Sequence, residues 1–328
     1  MARVVAVVLL AGLALVPFVP MAGMKSYVLH VVIQVFIWSF IGGAWSLMGR
    51  FGLVSLGHGA FLGLGAYTTT LLWNFYGLSP WLGTPVALAA TAVLGVIVGY
   101  PCSRFRVVGH YFGLVTLAFG EVIRLLLIAE RDWTGGSLGV TLKTAGSEAS
   151  LVALQYADKR VFYYASLVVW LFGLAVWMRL DRSMARAAME AIGEDETAAA
   201  SVGIHVTRFK LGITVLSAVL TALGGILYAQ YISYVNPETL AGIGVSLRIV
   251  FAVVLGGMYS LLGPTVGTAL TIALSEYLRV VFGLKFVGMA ETIYGLLLIL
   301  FIIFLPSGIY GSLRDALARR RGPARATA

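Results

Sequence analysis

The stretch Arg179–Lys210, RLDRSMARAAMEAIGEDETAAASVGIHVTRFK, is charged and alanine-rich, and apolar blocks of membrane-spanning length lie on both sides of it. A polar island between such blocks is a surface loop, and the blocks around it read as spanning helices. Within the island, Ser183 is placed to cap a short helix that ends near Gly193. Glu194, Asp195 and Glu196 then bring negative charge to the start of a second helix, where it suits the helix dipole. Gly203 stands where a C-terminal glycine ends that helix. Arg179, Arg182, Arg186, Arg208 and Lys210 frame the whole. Two readings fit this composition: a handle for another protein, or a solvated interhelical loop.

Composition sets the class. The chain has 328 residues, of which 60% are hydrophobic and 11% charged, and its mean hydropathy is +0.95. Ordinary globular domains carry roughly 25% charged residues. The expected fold is an all-α polytopic membrane protein. Its net charge of +9 reads as positive-inside bias and attraction to anionic lipid, not as nucleic-acid binding. The single Cys102 excludes an internal disulfide, and the four histidines show no metal-ligand spacing.

Val4–Pro20 is the first apolar block. It reads either as a cleaved signal peptide or as a retained first helix or signal anchor within residues 1–24; the lack of a clear A-x-A site favours retention. Further blocks follow at Tyr27–Met48, Gly57–Trp73, Trp81–Cys102, Tyr111–Ala129, Val161–Met178, Phe209–Tyr231, Val245–Met258, Leu262–Phe282 and Met289–Leu305. That makes about ten spans, in a range of about 8–10 because short or broken segments are hard to count. With both termini in the cytoplasm, the inside holds Arg50, Arg104, Arg106, the island's basic residues and a basic tail over 311–328. The outside keeps Lys25, Arg131, Lys143, Lys159, Arg160 and Lys285. This asymmetry puts the 179–210 loop in the cytoplasm.

Two stretches differ from plain lipid-facing helices. Gly49–Tyr67, GRFGLVSLGHGAFLGLGAY, carries six glycines, with Ser55 and His58 at its start. Val253–Gly267, VVLGGMYSLLGPTVG, is interrupted at Gly256, Gly257, Gly263 and Pro264. Small residues permit close helix packing, and paired interruptions in two halves also suggest an internal repeat around a midplane pathway. Both readings stand at this point. Among ionisable residues inside spans, Glu121/Arg124 and Glu276/Arg279 have the i, i+3 spacing of self-neutralising pairs, and Glu291 sits alone. No chain of further acids or histidines continues a proton path. The sequence lacks a phosphate-binding loop, H-E-x-x-H and G-x-S-x-G, so neither an enzyme nor a cofactor is expected.

Several segments carry a resemblance. Ser55–Tyr67 (SLGHGAFLGLGAY) and Tyr111–Leu127 with Trp133–Val140 (YFGLVTLAFGEVIRLLL, WTGGSLGV) resemble the hallmark segments of branched-chain amino acid ABC transporter permeases, the LivH/LivM family. Glu190–Glu238 is similar to the coupling loop and following helix of the LivM branch, and Leu255–Gly267 (LGGMYSLLGPTVG) to a late element of the same proteins. The matches run in order from about residue 45 to 305.

The resemblance implies a permease subunit of an ATP-driven importer in the bacterial inner membrane. Its implied partners are a homologous LivH-type permease, two cytoplasmic ATP-binding subunits and an extracytoplasmic substrate-binding protein. Glu190, Glu194, Asp195, Glu196, Ala198, Ala199 and Gly203 fall on the loop that would dock an ATPase. Candidates for the translocation path are Ser55, His58, Tyr67, Thr116, Glu121, Gly256 and Gly257. Arg50, Gly193 and Tyr259 depart from the family pattern, and Gly193 puts the docking contacts in question. The implied substrates are branched-chain or related hydrophobic amino acids. A urea or short-amide importer is the alternative, and an ion-coupled secondary transporter is a more distant one.

Overall fold

A computed structural model describes residues 12–18, 25–146, 149–150, 152–156, 158–282, 292–293, 295–297, 300 and 308–309. The long helices are α1 (Lys25–Gly49), α2 (His58–Tyr76), α3 (Pro80–Arg104) and α4 (Gly109–Ala129), followed by a short α5 (Arg131–Thr134). Then come α6 (Lys159–Asp181), α7 (Met184–Glu194), α8 (Glu196–Ser201), α9 (Val206–Ile232), α10 (Pro237–Leu240), α11 (Ile243–Gly256) and α12 (Gly263–Phe282). Local chemistry explains where several of them begin and end. Ser79 accepts a hydrogen bond from the Trp81 amide with Pro80 in the first turn of α3, and Asp158 caps α6 through the Arg160 amide. Gly77, at φ +62°, ends α2 in the left-handed conformation.

Among the described residues, seven helical stretches are long and apolar enough to cross a membrane; six match sequence blocks to within a few residues, and the seventh, Pro237–Gly256, starts well before the expected Val245. The eighth expected span, α2, forms as a helix without meeting that measure. It carries His58, three threonines and Asn74. It tolerates them because α3, α4, α9 and α11 pack around it, so neighbouring helices, not lipid, surround its polar groups. The expectations for Val4–Pro20, Met289–Leu305, Glu291 and the tail 311–328 fall wholly or mostly outside the described residues.

One core cluster runs through the bundle centre, where Phe36 and Trp45 of α1 meet Tyr67 of α2, Trp170 of α6 and Val253 of α11. A second lies toward the 179–210 end and joins Met48, Trp177 and Ile213 to Met189, Ile192 and Ala199 of the island. Large apolar side chains on α3, α4 and α12, such as Val93, Leu125 and Val280, face outward. On a soluble protein that surface would be a liability; on a spanning bundle it is the lipid-facing side. At the end opposite the island, β1 (Val140–Thr141) pairs antiparallel with β4 (Tyr234–Val235), tying the long loop after α4 to the end of α9. In the same loop β2 (Ala149–Ser150) pairs with β3 (Gln155–Tyr156).

The interrupted glycine stretches turn out to be crossing points. A methyl group added at Gly256 would lie 1.9 Å from the Gly263 carbonyl oxygen, and one at Gly267 1.8 Å from that of Ala252. α11 and α12 therefore touch backbone to backbone. In the first stretch, a methyl on Gly65 would come within 2.7 Å of the Ala222 carbonyl on α9. Close approach is what Gly65, Gly256 and Gly267 provide, and packing is the reading the structure favours at those three positions.

Candidate functional site: a two-helix knob on the bundle

The island folds as a compact knob of α7 and α8. Ser183 occupies the N-cap position of α7 with extended backbone, but its side chain makes no capping bond; the hydroxyl donates to the Leu180 carbonyl at 2.7 Å. α7 runs one residue past Gly193, to Glu194. Asp195 then caps α8, its carboxylate accepting from the Thr197 and Ala198 amides at 2.7 and 3.1 Å. Those two amides hold the Asp195 carboxyl below the usual carboxylate range. α8 ends in a Schellman turn: Gly203, at φ +92°, donates to the Ala200 carbonyl, and Ile204 donates to that of Ala199.

Fixed ion pairs hold the knob to the bundle. Asp181, at the end of α6, takes Arg50 and Arg186, each at 3.0 Å, and Arg186 also donates to Glu190 at 2.8 Å. The Arg50 guanidinium lies 4.3 Å from the Trp177 ring centre. Burial lowers its pKa and the Asp181 hydrogen bond and charge act in the opposite direction. Arg50, a departure from the family pattern, is thus a strut between the loop after α1 and the base of the knob. On the far side Lys210 of α9, 4% exposed, pairs with Glu196 of α8.

This geometry divides the seven coupling-loop candidates. Glu190, Glu194, Asp195, Ala198 and Gly203 are exposed. Ala199 is buried in the lower core, and Glu196 is turned inward to Lys210. Those two were expected to face a partner; instead they anchor the knob, because a short α8 must bury one face to stay folded. Sequence reasoning also missed the apolar rim of the exposed face, Met184 at 83% and Val202 at 77% exposure. The helical spacing of the apolar residues around Met189 and Ile192 was a signal for which face turns inward.

The path candidates lie apart from one another. Ser55 and His58 flank the start of α2, and Thr116 of α4 reaches the Leu56 amide between them. His58 Nε2 is 2.9 Å from Ser217 Oγ, and Ser217 donates to the Ala44 carbonyl at 2.7 Å. The Ser217 proton is thereby committed, so Nε2 of His58 is the donor to it. Thr116 accepts from the Leu56 amide and donates to Gly113. The Trp45 indole donates to the Ser55 carbonyl. The cavity beside Gly57 and Thr116 measures about 10 Å³, close to the room one water needs. Tyr67 donates to the Val235 carbonyl at 3.4 Å, toward the other end of the bundle. The Glu121 carboxylate is taken up by Arg124, and Gly256 and Gly257 stand at the α11–α12 crossing. These residues do not converge on one open channel within this chain.

The model of the branched-chain amino acid transport system / permease component family matches residues 27–305. The chain belongs to that family. It is 32% identical over 299 residues to the high-affinity branched-chain amino acid transport system permease protein LivM of Escherichia coli (strain K12), covering 85% of this chain and 68% of that protein. It is 24% identical over 262 residues to the probable branched-chain amino acid transport permease protein LivH of Methanocaldococcus jannaschii, covering 77% and 82%. It is also 27% identical over 229 residues to the fructose import permease protein FrcC of Rhizobium meliloti, covering 69% of this chain and 61% of that protein. No solved structure matches the chain. The knob, Met184 to Ser201, and the long helices on either side of it, α6 and α9, all lie within the matched residues.

Proposed function

We propose that this permease is the LivM-type transmembrane subunit of an ATP-driven importer of branched-chain amino acids, and that the α7–α8 knob is where an ATP-binding subunit docks. The observation that carries the reading is the combination of an exposed acidic and alanine face with a rigid mount. A coupling element must transmit force, so its contact face has to be free while its base is fixed. Glu190, Glu194, Asp195 and Ala198 supply the free face; Asp181, Arg50, Lys210, Glu196 and Ala199 supply the base. ATP-driven closure of the partner subunits would then rock the helices rooted in the knob, α6 and α9, and alternate access to the path.

The positive-inside rule assigns the knob end to the cytoplasm. In helix order, Arg50, Arg104, Arg106, Arg179, Arg182, Arg186, Arg208 and Lys210 lie at that end, against Lys25, Arg131, Lys143, Lys159 and Arg160 at the other, with Arg248 and Arg279 inside spans on that second side. The cytoplasmic assignment of 179–210 and of both termini, and a location in the bacterial inner membrane, belong to this proposal. So do the LivH-type partner permease and the extracytoplasmic binding protein. The test is purification of the tagged full chain from its native membrane in mild detergent, with mass spectrometry of what accompanies it. The expected result is a second permease with ATP-binding subunits, lost when Glu194 and Asp195 become Lys. A chain that purifies alone, and transports in vesicles without ATP, overturns the reading. Radiolabelled uptake by the assembled system, with leucine set against urea and acetamide, decides the substrate class.

A further inference from the structure

α4 has 21 residues, about 30 Å at 1.5 Å per residue, which matches the hydrocarbon thickness of a bilayer. Glu121 stands two residues past Phe119, the middle of the helix, and so about 3 Å along the axis from it. Its side chain is 30% exposed. Leu114, Ala118 and Leu125 are exposed on the same face. From Leu114 to Leu125 the steps are four, three and four residues, the spacing by which one helix packs along another.

Lipid is a poor neighbour for this face. Arg124 donates to Glu121 at 3.0 Å and also binds Glu238. Two carboxylates against one guanidinium leave the cluster with a net charge of −1. Charge at that depth belongs against protein or water, not hydrocarbon. By contrast, the exposed positions along the middle of α3 (Val86, Val93, Ile97) and of α6 (Val168, Phe172, Ala175) are apolar, as lipid-facing positions should be. Three other charges within spans, Arg248, Glu276 and Arg279, line a cavity among α1, α9, α11 and α12. The α4 cluster instead borders a face that the described residues leave open.

We propose that this face of α4 is where the second, homologous permease packs, and that its net negative charge selects a subunit with a basic side chain opposite Glu121 and Glu238 over a second copy of this chain. The inference rests on the importer reading and gives that pairing a surface and a sign. Homologous subunits meet about an approximate two-fold axis, where a patch on one lies against its counterpart on the other. Two copies of this chain would bring two negative clusters together away from water, where like charges repel most strongly. A homologue with a basic residue there turns the same contact attractive. Repulsion against the wrong partner and attraction to the right one together set specificity.

The probe is p-benzoylphenylalanine, a photo-cross-linking amino acid, incorporated in place of Ala118 or Leu125 in the tagged full chain within its native membrane. Val93 on α3 and Val168 on α6 are the comparison positions, and cross-linked peptides are mapped by mass spectrometry. Adducts with the second permease are expected from positions 118 and 125, and few or none from 93 and 168. Adducts from 118 and 125 with lipid alone, or with another copy of this chain, overturn the proposal. So does a yield of second-permease adducts no higher than at 93 and 168. Glu238→Lys takes the cluster from −1 to +1 and leaves the Glu121–Arg124 pair in place. It should lower co-purification of the second permease several-fold, and Glu238→Gln should lower it less. Undiminished co-purification by a Glu238→Lys chain that runs as a single species in gel filtration also overturns the proposal. The cross-linking arm keeps every charge, so its outcome does not depend on that variant folding. If the second permease co-purifies but cross-links only from 93 or 168, the surface is wrong and the importer reading stands. If no second permease accompanies the unaltered chain, the importer reading itself fails.

Discussion

The Arg124 guanidinium closes on Glu238, a residue 114 positions further along the chain, while also holding Glu121 one helical turn before it. One cation thus bridges α4 to the short α10 that leads into α11. Spacing predicted the local half of this contact. The distant half exists because the β1–β4 pairing brings the end of α9 beside the loop after α4.

The network is lopsided, which sets its response to mutation. Glu238 is 60% exposed, so Glu238→Gln should change stability by less than about 1 kcal/mol. Arg124→Met should cost more, because it leaves two carboxylates facing each other with no cation. Thermal melts in detergent check the order; equal losses would mean that Glu121 contributes nothing.

Lys210 and Glu196 form the most enclosed ion pair of the knob, with side chains 4% and 16% exposed. Removing one partner of a buried pair typically costs about 3–5 kcal/mol. Glu196→Ala should be worse than Lys210→Met, since it strands the more deeply buried charge. The combination of Glu196→Ala with Lys210→Met should cost clearly less than the sum of the two single losses. Purely additive losses in that cycle would show that the two side chains do not interact.

Three glycines should respond differently to alanine. Gly267→Ala places a methyl 1.8 Å from the Ala252 carbonyl and should force α11 and α12 apart, with a large drop in folded yield. Gly193→Ala meets nothing within 4 Å and stands inside α7, so it should stabilise by up to about 1 kcal/mol. Gly203→Ala also meets open space, but at φ +92° it should cost about 1–2 kcal/mol of backbone strain. Fluorescence-detected gel filtration during a temperature ramp would rank the three.

The Asp195 cap is pH-sensitive. Its folded pKa is depressed by the Ala198 and Thr197 amides. The stabilisation it gives α8 is therefore complete above the ordinary aspartate value of about 3.9 and is lost as pH falls through the lower folded value. Hydrogen-exchange protection at Thr197 and Ala198 should hold from neutral pH down to that range and then fall. Asp195→Ala should remove it at every pH, and Asp195→Asn should keep part of it. Protection that survives in Asp195→Ala would assign the helix start to another cause.

The membrane class, the helix boundaries and the glycine that ends α8 were legible in the chain because each rests on local chemistry. A run of apolar residues must leave water, Pro80 after Ser79 starts a helix, and Gly203 accepts a left-handed turn at little cost. The facing of side chains was not legible in the same way. Glu194, Asp195 and Glu196 are equivalent by composition, yet one is exposed at the end of α7, one caps α8 and one is turned inward to Lys210. The glycine-rich stretches fitted both a pathway and a packing seam; that α9 lies against Gly65 and α12 against Gly256 could be read only from the structure. Local chemistry acts between neighbours in the chain and is written in their order. Enclosure depends on which distant helices meet, and only the tertiary structure decides that.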